Sequence, residues 1–249
     1  MNVLEVKDMD LFIELNGLTT SIIGPSNSGK TVLAKRLCNK LDNSSILIDN
    51  KGIKEYDVKT LRRSIAVVLD DNNYINEYVV EELAYYQDRL DFDLEESQKN
   101  IDEIATFFKI KGLLNKKVQL IYTSDRILIK ILSLLIINPS VFVVDNLLSY
   151  LKPDKRSLLF KYVKEKGISF INLTTNAEEL LESDNVIVLN NFKSVISGSP
   201  KSILEGNSIL PYMGLKLPFV VDLSHNLILY NVVDKIYMDS KALVNKLWK

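Results

Sequence analysis

A largely parallel α/β fold is what this sequence of 249 residues predicts, on three observations. Short apolar segments rich in β-branched residues recur along the chain with helical patterns between most of them, as in a sheet covered on both faces. A turn built from Gly24, Pro25, Ser26, Asn27, Ser28 and Gly29 joins the first of these segments to a helical one. One long stretch, about residues 73–138, is patterned almost wholly as helix.

The elements follow in order. Leu18 to Ile23 is short, apolar and ends on Gly24-Pro25, which predicts a strand and a loop, and Lys30 to Leu41 continues as a helix. Further strands are expected at Ser45 to Ile48 and Ile65 to Leu69. The helical stretch 73–138 then reads as an inserted subdomain, with an amphipathic face from Leu94 to Phe108. Strands resume at Val141 to Val144, Ser169 to Leu173 and Asn185 to Leu189. After Ser199-Pro200 the composition shifts to a tail with Pro211, Gly214 and Pro218 and then helical patterns to Trp248. The expected division is a main domain over 1–205 and a small C-terminal appendage over 206–249, with no internal repeat.

Composition narrows the function. The 31 basic and 32 acidic residues leave a net charge of -1, so no large positive field is present to attract nucleic acid. The single cysteine, Cys38, lies in a helical pattern and has no partner for an intrachain disulfide. That fits a reducing, cytoplasmic setting. Glu5, Asp8 and Asp10 within Met1 to Leu11 are the wrong pattern for a targeting segment. The most apolar stretch, Ile127 to Val144, is divided by Lys130 and by Asn138-Pro139, which predicts a buried helix and then a buried strand.

The loop carries the chemistry. Gly24-Pro25-Ser26-Asn27-Ser28-Gly29-Lys30-Thr31 satisfies the phosphate-loop pattern G-x-x-x-x-G-K-[ST] after a strand and at the start of a helix. In such a loop backbone N–H groups wrap phosphates, the helix N-terminus adds its positive end, Lys30 bridges the β- and γ-phosphates, and the Thr31 hydroxyl ligates Mg²⁺. A Gly-, Pro- and Ser-rich turn can also precede a helix with no ligand. The apolar run Val141-Phe142-Val143-Val144 ending in Asp145 argues for the ligand, because a carboxylate there would hold Mg²⁺ through water. ATP and Mg²⁺ are the expected cofactors, bound along Gly24 to Val32.

With this order of phosphate loop, helical insertion, apolar strand ending in Asp and a further strand pair, the chain resembles the ABC transporter ATPases over nearly its whole length. The resemblance implies a P-loop NTPase fold with a RecA-like sheet. The tail Pro211-Tyr212-Met213-Gly214-Leu215-Lys216-Leu217-Pro218, followed by Val220-Val221-Asp222-Leu223-Ser224, is similar to that of the energy-coupling-factor (ECF) type. In that type paired ATPases drive uptake of vitamins or metal ions. Several positions depart from the family pattern. Asn146 stands where a glutamate would polarise the attacking water, Asp70 where a glutamine is expected, and Thr175 where a switch histidine would meet the γ-phosphate. Ile121-Tyr122-Thr123-Ser124-Asp125 replaces the Leu-Ser-Gly-Gly-Gln signature, Lys152-Pro153 replaces Asp-Pro, and Asn27 replaces a loop glycine. The short N-terminal segment offers Phe12 as the aromatic to stack on adenine.

The resemblance therefore implies an ATP-binding subunit on the inner face of the cell membrane, paired with a more complete sister ATPase subunit and docked on a transmembrane coupling protein. Asp70 joins Thr31 and Asp145 as a metal ligand, or accepts a proton from water in place of the missing glutamate. A nucleotide-dependent regulatory or assembly protein with little hydrolysis is the alternative, supported by the same departures. A small-molecule kinase would want arginines in a closing lid, where this chain has only the isolated Arg89 and Arg126.

Overall fold

The computed structural model describes residues 1–71, 73–206 and 209–248. The appendage expected over 206–249 is thus described apart from residues 207, 208 and 249.

Chain order runs β1 (Val3–Val6), β2 (Leu11–Glu14), β3 (Thr19–Ile23), α1 (Lys30–Leu37), β4 (Ile46–Ile48) and β5 (Lys51–Gly52). It continues through α2 (Val58–Ser64), β6 (Ile65–Val68), α3 (Val79–Arg89), α4 (Leu94–Phe107), α5 (Thr123–Leu135) and β7 (Val141–Asp145). Then come α6 (Pro153–Glu165), β8 (Ser169–Thr174), β9 (Asn185–Asn190) and β10 (Lys193–Gly198). Four helices follow: α7 (Pro200–Gly206), α8 (Ile209–Tyr212), α9 (Phe219–Leu229) and α10 (Ser240–Leu247).

The six-stranded sheet has the order β10-β9-β3-β8-β7-β6, parallel from β9 to β6, with β10 antiparallel at one edge. Every residue of β3, β7 and β8 is buried; β7 accordingly reads as a continuous apolar run up to Asp145, while β3 and β8 also bury Thr20, Ser21 and Asn172. The period of two divides their side chains between cores. Phe142, Val144 and Phe170 pack with α3 to α6, while Val141, Val143, Ile171 and Leu173 pack with Leu33 of α1 and the N-terminal strands. On β9, Val186 and Val188 face the C-terminal helices through Leu210, Val220 and Leu243.

The structure regroups one expected strand and adds β1, β2, β5 and β10 to those expected. Ser45 to Ile48 is a strand, β4, but it pairs antiparallel with β1 in a second, four-stranded sheet ordered β2-β1-β4-β5. The short strands β1 and β2, joined by a tight helical turn at Lys7–Met9, went unread because each holds only four residues among interspersed acids. Helix α1 also ends at Leu37, before the expected Leu41. Asn39 takes a left-handed conformation there, and the Lys40 N–H reaches back to the Lys35 carbonyl at 2.8 Å, a C-terminal cap that asparagine favours. The apolar stretch 127–144 is split as expected into α5 and β7. Among the described residues no helix is long and apolar enough to cross a membrane.

Candidate functional site

The loop from Gly24 to Gly29 sits over the C-terminal end of β3. Gly24 has no room for a side chain, since an added Cβ would lie 2.1 Å from the Leu189 carbonyl oxygen and 2.7 Å from Ser28 Oγ. Asn27 is in the left-handed region at φ 65°, which asparagine tolerates. Gly29 is at φ 111°, where a side chain would be strained. Helix α1 begins at Lys30, and its first N–H groups lack partners within the helix.

Lys30 is buried inside this loop. Its Nζ donates to the carbonyls of Gly24 at 2.6 Å and Pro25 at 2.9 Å and to Ser28 Oγ at 3.1 Å. Burial pushes the ammonium down to about 8, opposed by the nearby Asp145 carboxylate. Asp145, the last residue of β7, is itself buried, and desolvation raises its carboxyl above the ordinary range. The nearby Thr31 hydroxyl and the Lys30 charge oppose that rise, and the Asp70 charge adds to it. Its Oδ1 is buried with no hydrogen-bond partner. Lys30, Thr31 and Asp145 are thus brought together, with exposed Asp70 at the end of β6 near enough to act on Asp145.

These residues fit a magnesium–nucleotide pair. The orphaned Asp145 oxygen and the Thr31 hydroxyl are hard oxygen donors suited to Mg²⁺. Among the described residues no group of three or more His, Cys, Asp or Glu is placed to hold a metal. A cation here would therefore complete its shell from phosphate and water.

Beside this cradle the structure joins two further positions from the sequence. The Thr175 hydroxyl donates to Asn146 Oδ1 at 3.4 Å, and Asn146, at φ 54°, donates its N–H to the Leu173 carbonyl at 2.8 Å. Tyr122 stands elsewhere, exposed at the start of α5, where its carbonyl accepts from the N–H groups of Asp125 and Arg126. Phe12 is exposed on β2, and Lys152 caps the start of α6.

Three contributors escaped the sequence reading. Leu189 and Phe192 lie behind the phosphate loop; the Phe192 N–H donates to the Ser28 carbonyl at 2.9 Å. Asn190-Asn191 after an apolar run was a readable hairpin signal. Asp71, next to Asp70, is ion-paired with buried Lys130 of α5, a contact across 59 residues that no local pattern announces. Behind β3 and β8 lies a polar network in which Ser21 meets Ser183 at 2.6 Å and Asn172 donates to Glu179 at 2.8 Å.

Comparison with known proteins gives consistent matches. The ABC transporter family model matches residues 6–149. The energy-coupling factor transporter ATP-binding protein EcfA1 of Mesomycoplasma hyopneumoniae (strain 7448) is 26% identical over 257 aligned positions, covering 100% of this chain and 93% of that protein. The protein of the same name from Staphylococcus aureus (strain USA300) is 27% identical, covering 89% of this chain and 85% of its own length. The solved structure of cbiO1 from Clostridium perfringens, described as part of the ABC transporter complex cbiONQ, superimposes with a TM-score of 0.73 at 25% identity. It covers 90% of this chain and 99% of that one.

Proposed function

This chain belongs to the ABC transporter family, and from that premise we propose that it is the ATP-binding subunit of an ECF-type importer. The observation that carries this reading is the buried Lys30 ammonium held inside the loop Gly24 to Gly29, opposite an Asp145 oxygen left without a partner. Where a triphosphate enters, Lys30 exchanges three internal acceptors for phosphate oxygens, and the N–H groups of the loop and of α1 converge on the same anion. Thr31 and Asp145 would hold the cation, with Asp70 near enough to add a further oxygen donor and phosphate and water completing the shell. The bound ion supplies neutralisation of phosphate charge. Relatives named as energy-coupling factor transporter ATP-binding proteins support a transporter setting; pairing with a sister ATPase, docking on a transmembrane coupling protein at the inner membrane face, and uptake of a vitamin or metal ion complete the proposal.

A specific observation favours a second reading, in which nucleotide is held without being cleaved. Asn146 cannot accept a proton, and its side-chain oxygen is already engaged by Thr175. Loss of a general base costs about 10²- to 10⁴-fold in rate. Slow hydrolysis by the chain alone therefore follows from both readings, and the partners separate them. Copurification from the native membrane, followed by nucleotide binding and ATPase assays on the complex and its Lys30→Ala version, is the test. A membrane coupling protein in the complex and loss of ATP binding on Lys30→Ala are expected. Recovery of the chain with no membrane component would favour the regulatory reading.

A further inference from the structure

The turn between β9 and β10 is made of two residues, Asn191 at φ 46° and Phe192 at φ 63°, with Asn190 and Lys193 paired across it. Two left-handed residues make the tight hairpin whose twist matches the strands, and asparagine accepts that geometry. Phenylalanine does so at a steric cost. The ring is not sunk into a core to offset it, because Phe192 is 45% exposed. What the position gains is contact with the phosphate loop. Its N–H donates to the Ser28 carbonyl at 2.9 Å. A Cβ added to Gly29 would lie 2.8 Å from the ring's Cδ1 and 3.3 Å from Phe192 Cα, so ring and backbone press directly on that glycine. Lys193 anchors the turn from its other side by an ion pair to Asp10 at 2.7 Å.

One peptide plane links this clamp to ligand binding. The Ser28 carbonyl and the Gly29 N–H belong to the same trans peptide, so they point in opposite directions. With the carbonyl held toward Phe192, the Gly29 N–H is turned away from the hairpin. The outer wall at Gly24 is set by the same hairpin, through the Leu189 carbonyl. Resting on the nucleotide-binding reading above, the geometry points to Phe192 as a positioning residue for phosphate binding: its ring, packed on Gly29, holds in place the Ser28–Gly29 peptide that its main-chain N–H engages, so that the Gly29 N–H stays turned away from the hairpin.

Phe192→Gly tests this in the full-length chain, because glycine removes the ring yet accepts the left-handed backbone. Binding of Mg-ATP and of inorganic tripolyphosphate is measured by calorimetry beside the apo melting temperature, with Lys30→Ala as the control. The expected result is weakening of both ligands by a similar factor, roughly tenfold, while the apo melting temperature stays within about 2 °C of the parent or rises. Phe192→Asn, which also suits the turn, should behave alike. Unchanged affinities overturn the inference, as does a fall in apo stability that accompanies the loss in both variants. Loss confined to ATP, with tripolyphosphate binding kept, also overturns it and makes the ring a platform for the base. A parent chain that binds neither ligand overturns the nucleotide reading itself.

Discussion

Gly24 illustrates how little freedom the site's residues have. Its Cα hydrogen faces the Leu189 carbonyl, and a methyl group there would overlap that oxygen at 2.1 Å. The obstacle is backbone, so it cannot be relieved by a side-chain rotation. Gly24→Ala is expected to cost about 1–3 kcal/mol of stability, the scale of overpacking in a tight core, and to remove nucleotide binding; chemical denaturation and a binding isotherm check both. Glu179 presents the opposite problem, a carboxylate buried beneath the sheet with Oε1 unpartnered. Burial raises it above its ordinary 4.5, opposed chiefly by the Asn172 amide. The folded chain therefore keeps this proton to higher pH than the unfolded chain does. Its contribution is fully present below pH 4.5 and is lost as pH rises through the folded value. Glu179→Gln removes the charge while keeping an acceptor for Asn172. The melting temperature of the variant relative to the parent should rise as pH increases above 4.5, and a flat difference would contradict this account.

At the scale of elements, the apolar packing of Ala66 and Val68 of β6 against the helical layer is joined by one ion pair just beyond the strand. Lys130 lies in the middle of α5, buried, and gives its ammonium to both the carbonyl and the carboxylate of Asp71. Its neighbours on that helix, Ile129 and Ile131, are buried and apolar. Lys130→Met keeps the volume and, among the described residues, leaves Asp71 ion-paired with Lys40, 3.8 Å away. A loss of about 1–3 kcal/mol is expected, at the lower end because a third of the Asp71 side chain stays in water. The urea midpoint reports it. Such contacts mark the limit of what the sequence made legible. The strand, loop and helix around Lys30 could be read because their signals are local: a β-branched run, two glycines at fixed spacing, a helical period. Val141 to Asp145 could be read because a strand covered on both faces is apolar throughout. The short β1 and β2 could not, since four residues do not establish a period of two, and the Asp71–Lys130 pair is set by the fold alone. The left-handed Phe192 defies local preference, which favours glycine or asparagine at that point of a turn.

For the molecule as a whole, the three strands β3, β7 and β8 bring the loop, Asp145 and Thr175 to one end of a single sheet. The loop and the positions around it are therefore assembled at one place, and Asn146 and Thr175 are where the residues depart from the family pattern. Asn146 follows Asp145 in a left-handed turn at φ 54°, a conformation in which asparagine is comfortable and glutamate is not. Asn146→Glu would thus act in two opposed ways. It should lower the stability of the chain by about 1 kcal/mol through the backbone, and it would place a carboxylate beside Thr175 where the amide oxygen now lies 3.4 Å from the hydroxyl. A general base contributes about 10²- to 10⁴-fold. Part of that gain is forfeited here by the altered turn, so on the proposed pairing a rise of roughly tenfold or more in ATP turnover is expected in the complex with a sister subunit. On the same proposal the chain by itself should gain far less, because a second copy would offer exposed Tyr122, at the start of α5, where the resembled family has its signature serine. Steady-state ATPase rates of the complex and of the isolated chain, each with Asn146 and with Asn146→Glu, separate the two contributions. Equal stimulation in both would show that the partner is dispensable, and no stimulation in either would place the barrier elsewhere than at position 146.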